Sequence, residues 1–294
     1  MKLEKIVTLA NEPVRLDFLA MERSLRAVGC DLPLLVIPYD DRLFDLPPNA
    51  TWWNTPLRDW LRMECSSSTV AKYQCLTTAN YQYIDSDVIF LRNPEEVLAP
   101  HTGFITSCGH WHNTGDTVTA NSMSILREKS TCWPRNVFNS GQFACDHPLF
   151  SEEELKRICL DPRHVDACLR FRSAEQPGLV LLVNLSGVEI RNLTLPPTFM
   201  ESTWAGDYPD EHYERNWTDA ARKPYLLHWA GCVMTGPRPI DEIFLNYLTT
   251  AERKEWEDDV NQQRRERHQF QRSLSGRLKK VVRGVKAFAR EVKA

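Results

Sequence analysis

Asp85 and Asp87 stand one residue apart in the run Tyr81 to Leu91, the only charges in an otherwise apolar, β-branched and aromatic stretch. Alternation along a strand puts both side chains on one face, so that their oxygens converge on a single object. Like charges held that close in a buried segment repel each other and lose hydration, a cost relieved by a divalent cation or a basic partner between them. A hard, oxygen-loving ion such as Mn²⁺ or Mg²⁺ fits, because it takes one or two carboxylates and lets substrate phosphates complete its shell. The alternative for a bare Asp-x-Asp is a strand end whose aspartates cap a turn. The apolar strand before the pair and the turn signal Arg92-Asn93-Pro94 after it set the acids near the carboxyl edge of a sheet, where α/β proteins bind ligands.

The elements needed to hold those acids are legible on both sides. Lys5 to Ala10 read as a buried strand, Phe18, Leu19, Met21, Leu25 and Val28 fall at helical spacing up to Gly29, and Leu34 to Ile37 form a second strand. This β-α-β order implies a right-handed crossover and a parallel sheet. No glycine-rich fingerprint follows the first strand, which disfavours a dinucleotide-binding enzyme. Asp40 and Asp41, just after the second strand, either contact a base or ribose or shape a turn. Thr51 to Ala79 is expected to be helical, with Trp52, Trp53, Trp60 and Leu61 in the core. Lys72 in that stretch is either a phosphate contact or a solvated surface charge.

Beyond the acids, Phe104 to Thr106 reads as a strand, and the polar stretch from His110 to Pro134 as a functional loop. His110 and His112 in it are assigned to substrate or packing contacts rather than to a metal. Asn139 and Ser140 offer hydrogen bonds, and Gly141 lets a ligand approach the backbone. Glu152 to Phe171 is a helix broken at Pro162, and Glu175-Gln176 precede the apolar run Leu179 to Leu185. Trp204, Tyr208, Tyr213 and Trp217 supply aromatic faces of the kind that stack on sugars or simply pack. A last short strand, Tyr225 to Leu227, delivers His228 at its end, where it can reach a metal from the side opposite the aspartates.

The 294 residues suffice for one large α/β domain, and a hydrophobic content of 42% with 26% charged residues is that of an ordinary soluble protein. No apolar run has the length of a signal peptide or of a membrane span. The 9 cysteines are scattered, without a Cys-x-x-Cys pair, so zinc and a disulfide framework are not expected and a reducing cytoplasm is. Charge is unevenly placed: from Asn261 onward eleven Lys and Arg face two acids, a balance of +9, which leaves −12 for the preceding body. An acidic body with a basic tail gives the tail a partner of its own.

Taken in order, these pieces resemble the GT-A-fold glycosyltransferases, and in particular family-8-like enzymes such as glycogenin and the bacterial lipopolysaccharide galactosyltransferases. The resemblance rests on Asp85-Ser86-Asp87 with Phe90 to Pro94 behind it, Phe138-Asn139-Ser140-Gly141, Glu175-Gln176 before an apolar helix, and His228-Trp229-Ala230-Gly231. It covers the body up to Arg238. It implies an α/β fold with a Rossmann-like, mostly parallel central sheet flanked by helices over residues 1–238, followed by C-terminal helices over 239–294. It further implies metal-dependent transfer of a sugar from a nucleotide-diphosphate sugar to a saccharide or lipid-linked acceptor, with retention of configuration.

By that resemblance, Asp85, Asp87 and His228 hold Mn²⁺ or Mg²⁺ on the donor diphosphate. Asn139 lies near the donor sugar, with Ser140 and Gly141 beside it, and Gln176 and its neighbour Glu175 lie close to the reacting carbon. Ala10 and Asn11 contact the nucleoside, joined by Asp40. Lys72 and Arg238 face phosphate, and Ser86 and Gly231 belong to the same donor-binding stretches. Two departures stand out: Glu175 where the family often has Asp, and Gly236-Pro237-Arg238 where it has Lys-Pro. An inverting enzyme would need a base, for which Asp146, Asp166 and Glu175 are the options. Two other classes compete. A haloacid-dehalogenase-like phosphatase would use Asp85 to Asp87 with Gly206 to Asp210 as a second acidic site, and a non-catalytic sugar-nucleotide-binding protein would keep the fold alone.

Pro239 to Asp259 reads as a helix with a second start at Thr249 to Glu252. Over residues 272–294, Leu274, Leu278, Val281, Val285 and Phe288 fall at helical spacing among Lys and Arg. That is the composition of a helix lying on anionic lipid at the inner membrane face, the alternatives being packing on the body or a solubilising tail. Nucleic acid is not expected, since the body carries the opposite charge.

Overall fold

The computed structural model describes residues 1–65, 67–112, 114, 117–171, 175–232 and 238–272. The expectations for Gly236-Pro237 and for the basic segment 273–294 lie outside the described residues. The chain opens β1 (Lys5–Ala10), α1 (Arg15–Ala27), β2 (Leu34–Pro38), β3 (Ala50–Trp52) and α2 (Pro56–Glu64). After a 3₁₀ run at Ser68–Thr77 come β4 (Tyr81–Ile84), β5 (Val88–Phe90), α3 (Pro94–Leu98), β6 (Phe104–Thr106) and α4 (Ala120–Lys129). There follow β7 (Gln142–Cys145), α5 (Glu152–Leu160), α6 (Val165–Cys168), α7 (Gln176–Ser186), β8 (Ile190–Asn192), β9 (Leu226–His228), α8 (Asp241–Leu245) and α9 (Thr250–Arg272).

Seven strands form one sheet in the order β3-β2-β1-β4-β7-β6-β8, with β7 alone running against the others. β5 and β9 pair antiparallel as a separate two-stranded sheet. Both faces of the large sheet are covered, which is why its strands read as continuous apolar runs. Along β1, Val7 and Leu9 join one core cluster and Ile6 and Ala10 the other. α7 is apolar all round because it is buried between elements, Leu179 through Val183 being fully enclosed. α1 lies against the small sheet, where the Phe90 N–H donates to Ser24 Oγ at 2.9 Å.

Three expectations change. Thr51 to Ala79 is not one helical stretch: the chain first adds the strand β3 beside β2, and only after Thr55, whose side chain accepts from the Arg58 N–H, does α2 begin. Trp52 thus lies in a strand, partly buried. The polar stretch after His110 contains α4, started by a reciprocal cap between Thr119 and Ser122. The acidic pair also lies outside any strand. β4 ends at Ile84 and β5 starts at Val88, so Asp85-Ser86-Asp87 is the turn by which the chain leaves the large sheet for the small one.

Candidate active site

The parallel strands β1, β2 and β4 end on one edge of the sheet, and the antiparallel β7 begins there, Gln142 opposite Ile84. The turn after β4 and the segment before β7 therefore meet, tied by the Asp85 N–H donating to Gly141 O at 2.7 Å. The small sheet brings the third component. Val88 is in register with His228, and the Trp229 N–H donates to Asp87 O at 3.0 Å. Asp85, Asp87 and His228 consequently offer ligand atoms that all lie within 4.8 Å of one another.

The residues present fit a divalent ion. His228 Nε2 stands 3.1 Å from Asp87 Oδ1 and 3.7 Å from Asp85 Oδ2, yet this buried nitrogen has no directed hydrogen bond. A Cβ on Gly141 would fall 2.0 Å from His228 Cε1 and 2.7 Å from Asp85 Oδ2, so only glycine leaves the cluster its space. Two carboxylates and an imidazole suit Mn²⁺ or Mg²⁺ with phosphate oxygens completing the shell. Burial works against the His228 imidazolium, but Asp87 and Asp85 outweigh it and raise its pKa. Burial likewise opposes the Asp87 charge, and His228 reverses this and lowers its pKa.

Behind the cluster sits a second layer that the sequence left open. Lys72 is not a surface lysine: only 2% exposed, its ammonium lies 3.0 Å from Asp85 Oδ1 and 2.6 Å from Glu175 Oε1. Burial alone would lower its pKa; the two acids raise it instead. Burial also opposes the Glu175 charge, but Lys72 and the Ser140 hydroxyl, 2.6 Å away, bring its carboxyl down to about 2. Asp85 Oδ1 takes a second hydrogen bond from the Tyr83 hydroxyl at 2.5 Å. One oxygen of Asp85 is thus fixed from behind while Oδ2 faces Gly141 and His228.

Gln176 opens α7 at the same place. Its Oε1 accepts from Asn139 Nδ2 and from the Ser140 N–H, both at 3.0 Å, while Asn139 Oδ1 accepts from the Gly141 N–H at 2.8 Å. Asn139, Gln176 and His228 line a pocket of ≈ 290 Å³. The residues expected to meet the nucleoside lie at the strand edge: Asn11 Nδ2 donates to Asp40 Oδ2 at 2.9 Å, and Ala10 O accepts from the Tyr39 N–H. Arg42 holds Asp40 below the ordinary carboxylate range. Ser86 is buried in the turn, and Gly231 takes a left-handed conformation with φ of 62°.

Other residues expected at the site have protein partners. Arg238 gives its guanidinium to Asp241, 2.8 Å away and wholly buried, so its described contacts are with that residue and the Cys232 sulfur. The Ser140 hydroxyl donates to Glu175 Oε1. Asp207, in the stretch a phosphatase would need as its second acidic site, pairs with His110 at 2.9 Å. Asp146 lies past the far end of β7, and Asp166 is an exposed partner of Arg170.

Two residues escaped the sequence reading. Tyr83 had a signal, since in β4 it sits two before Asp85. Asp17 is a half-buried acid of α1, between the buried Leu16 and Phe18, lining a cleft with Trp256 of α9. Burial, with Asp87 adding to it, pushes its carboxyl up to about 7.

No protein-family model matches the chain, and no curated protein matches it. Among solved structures it is similar to the bifunctional glycosyltransferase WbbM in its apo form, at 12% identity with a TM-score of 0.52, over 89% of this chain and 51% of that one. The chain therefore spans about half the length of WbbM. It is also similar to the galactosyltransferase LgtC in complex with donor and acceptor sugar analogues, at 13% identity with a TM-score of 0.50, over 84% of this chain and 96% of that one. The fold is the GT-A fold. Within it, the Asp85-Asp87-His228 cluster stands at the carboxyl edge of the central sheet, where open α/β folds take their ligands.

Proposed function

We propose that the chain is a metal-dependent glycosyltransferase that moves a sugar from a nucleotide-diphosphate sugar to a saccharide or lipid-linked acceptor with retention of configuration. The observation that carries this reading is the convergence of Asp85, Asp87 and His228 from two sheets onto one space kept open by Gly141. Mn²⁺ or Mg²⁺ held there would supply positive charge for the diphosphate as it departs.

The chain's own residues account for the rest. Asn11 and Asp40 at the strand edge receive the nucleoside. Tyr83 and Lys72 hold Asp85 with Oδ2 turned to the site, and Glu175 holds Lys72. With Oε1 of Gln176 already occupied, its Nε2 is left as a donor that orients the sugar beside the anomeric carbon. Transfer with retention would then proceed on one face: the C1–O bond to the diphosphate breaks, the acceptor oxygen bonds C1, and its proton passes to a diphosphate oxygen.

The test is a thermal-shift panel of nucleotide sugars, each with Mn²⁺ and with chelator, since a ligand that binds only the native state raises its melting temperature. A metal-dependent rise with one donor, accompanied by release of the nucleoside diphosphate, is expected. A folded protein that responds to none of them refutes the reading.

A further inference from the structure

Four aromatic residues follow one another in the irregular segment before β9, and they divide sharply in what they do. Tyr208 and Tyr213 meet Trp217 edge to face at 5.2 and 5.1 Å, packed with Ile89, Leu227 and Trp229 around the small sheet. Trp204 instead lines the same pocket as Gln176, Asn139 and His228. Its pose is fixed from three directions. The indole N–H donates to Ala230 O at 2.8 Å, and the His110 ring meets it edge to face at 5.0 Å. Gly206 lies against the six-membered ring so closely that a Cβ there would fall 2.4 to 2.6 Å from three ring carbons. His110 is in turn held by both oxygens of Asp207, at 3.0 and 2.9 Å.

An aromatic ring locked in this way has lost its conformational entropy before any ligand arrives. Its apolar surface, set among hydrogen-bonding groups, matches a pyranose: axial C–H groups lie against the electron-rich ring while the hydroxyls find polar partners. The pocket borders the metal-ligand cluster through His228, and Asn11 and Asp40, taken as the nucleoside contacts, are not among its lining residues. Its ≈ 290 Å³ is at the lower end of ligand sites, room for a sugar ring rather than for a folded peptide.

We propose that Trp204 is the stacking platform for a pyranose ring of the acceptor, which makes the acceptor a saccharide at its reacting end. This deepens the transferase reading and rests on it. A pyranose there could belong to the acceptor or to the donor's own sugar, and the experiment separates the two.

The 294-residue chain is probed by saturation-transfer NMR with methyl β-D-galactopyranoside and methyl β-D-glucopyranoside, in the presence of the diamagnetic ion Mg²⁺ and nucleoside diphosphate. The expected result is saturation concentrated on the C–H groups of one ring face for at least one of them. Trp204→Leu keeps apolar bulk without an aromatic face and should weaken that signal about fivefold, the size of one aromatic contact, whereas Trp204→Phe should keep most of it. No saturation of either glycoside by the wild-type protein, or equal saturation by the Leu variant, overturns the proposal. Replacing the nucleoside diphosphate with nucleotide sugar separates the sources: persistence of the signal supports the acceptor, and displacement assigns the ring to the donor and overturns the acceptor assignment. Failure of the transferase reading itself appears elsewhere, as wild-type protein that takes up no nucleotide sugar with metal.

Discussion

Two groups of potential metal ligands stand at opposite ends of the paired strands β4 and β7. At one end Asp85, Asp87 and His228 come from two sheets; at the other, Cys145, Asp146 and His147 are consecutive. By residue type the second group is at least as good a metal site as the first. Its groups, however, are already engaged with one another: His147 Nδ1 lies 2.5 Å from Asp146 Oδ1, Asp146 Oδ2 accepts from the Gly103 N–H, and the Cys145 thiol donates to His147 O. Burial also pushes that thiol up to about 11, far from the thiolate a metal requires. In the first group a buried imidazole nitrogen and a carboxylate oxygen face common space. What distinguishes a site is therefore unsatisfied convergence, not the inventory of side chains.

That contrast breaks most readily by substitution. Asp87→Ala or His228→Ala should cut transfer by about 10³-fold, the loss seen when a group stabilising transition-state charge is removed, and should abolish the Mn²⁺-dependent thermal shift. His147→Ala should leave both intact; a lost shift there would reverse the comparison.

The next effect is on stability. Lys72→Met leaves the buried Glu175 and the half-buried Asp85 without their cation and should cost about 3–5 kcal/mol in urea unfolding. The pH dependence follows from Glu175: its folded pKa of about 2 lies below the ordinary carboxylate value of 4.5. Its contribution is thus fully present above about pH 4.5 and fades as pH falls towards 2. Acid titration of Lys72→Met should show that slope diminished.

Asp17 gives the smallest change. Its folded pKa of about 7 lies above the ordinary 3.8, so its ionised form costs stability at higher pH. With chelator present, Asp17→Asn should raise the melting temperature by about 3–6 °C at pH 8 and leave it unchanged at pH 4. An equal rise at both values would mean that charge is not the cause.

Much of the frame was legible because its signals are local. β1, α1, β2 and β6 follow from periodicity, and the start of α9 from Thr249 and Glu252, whose side chain accepts from the Thr249 N–H at 2.8 Å. Asp85, Asp87 and His228 were readable as a set, although the reason given for the acids was wrong: a turn, not strand alternation, turns both carboxylates to one side. The acid partners of Lys72 and Arg238 were not legible for the same reason. Whether a cation faces solvent, a phosphate or a buried acid depends on partners such as Glu175 and Asp241, and nothing along the chain announces those distances. β3 was lost because three residues of strand beside tryptophans carry little periodicity.

His228 reaches the cluster on the small sheet, and that sheet is held by Trp229, whose indole N–H donates to Asp241 Oδ1 and whose ring packs on Phe244 of α8. An ion held by the cluster would then have its affinity coupled to the docking of a helix outside the site. Loosening α8, by Phe244→Ala for example, draws on the same free energy that brings His228 to the aspartates, and by reciprocity an ion on the aspartates tightens α8. The cluster acts as a clasp between two sheets, and hydrogen exchange in β9 would register whether it is shut.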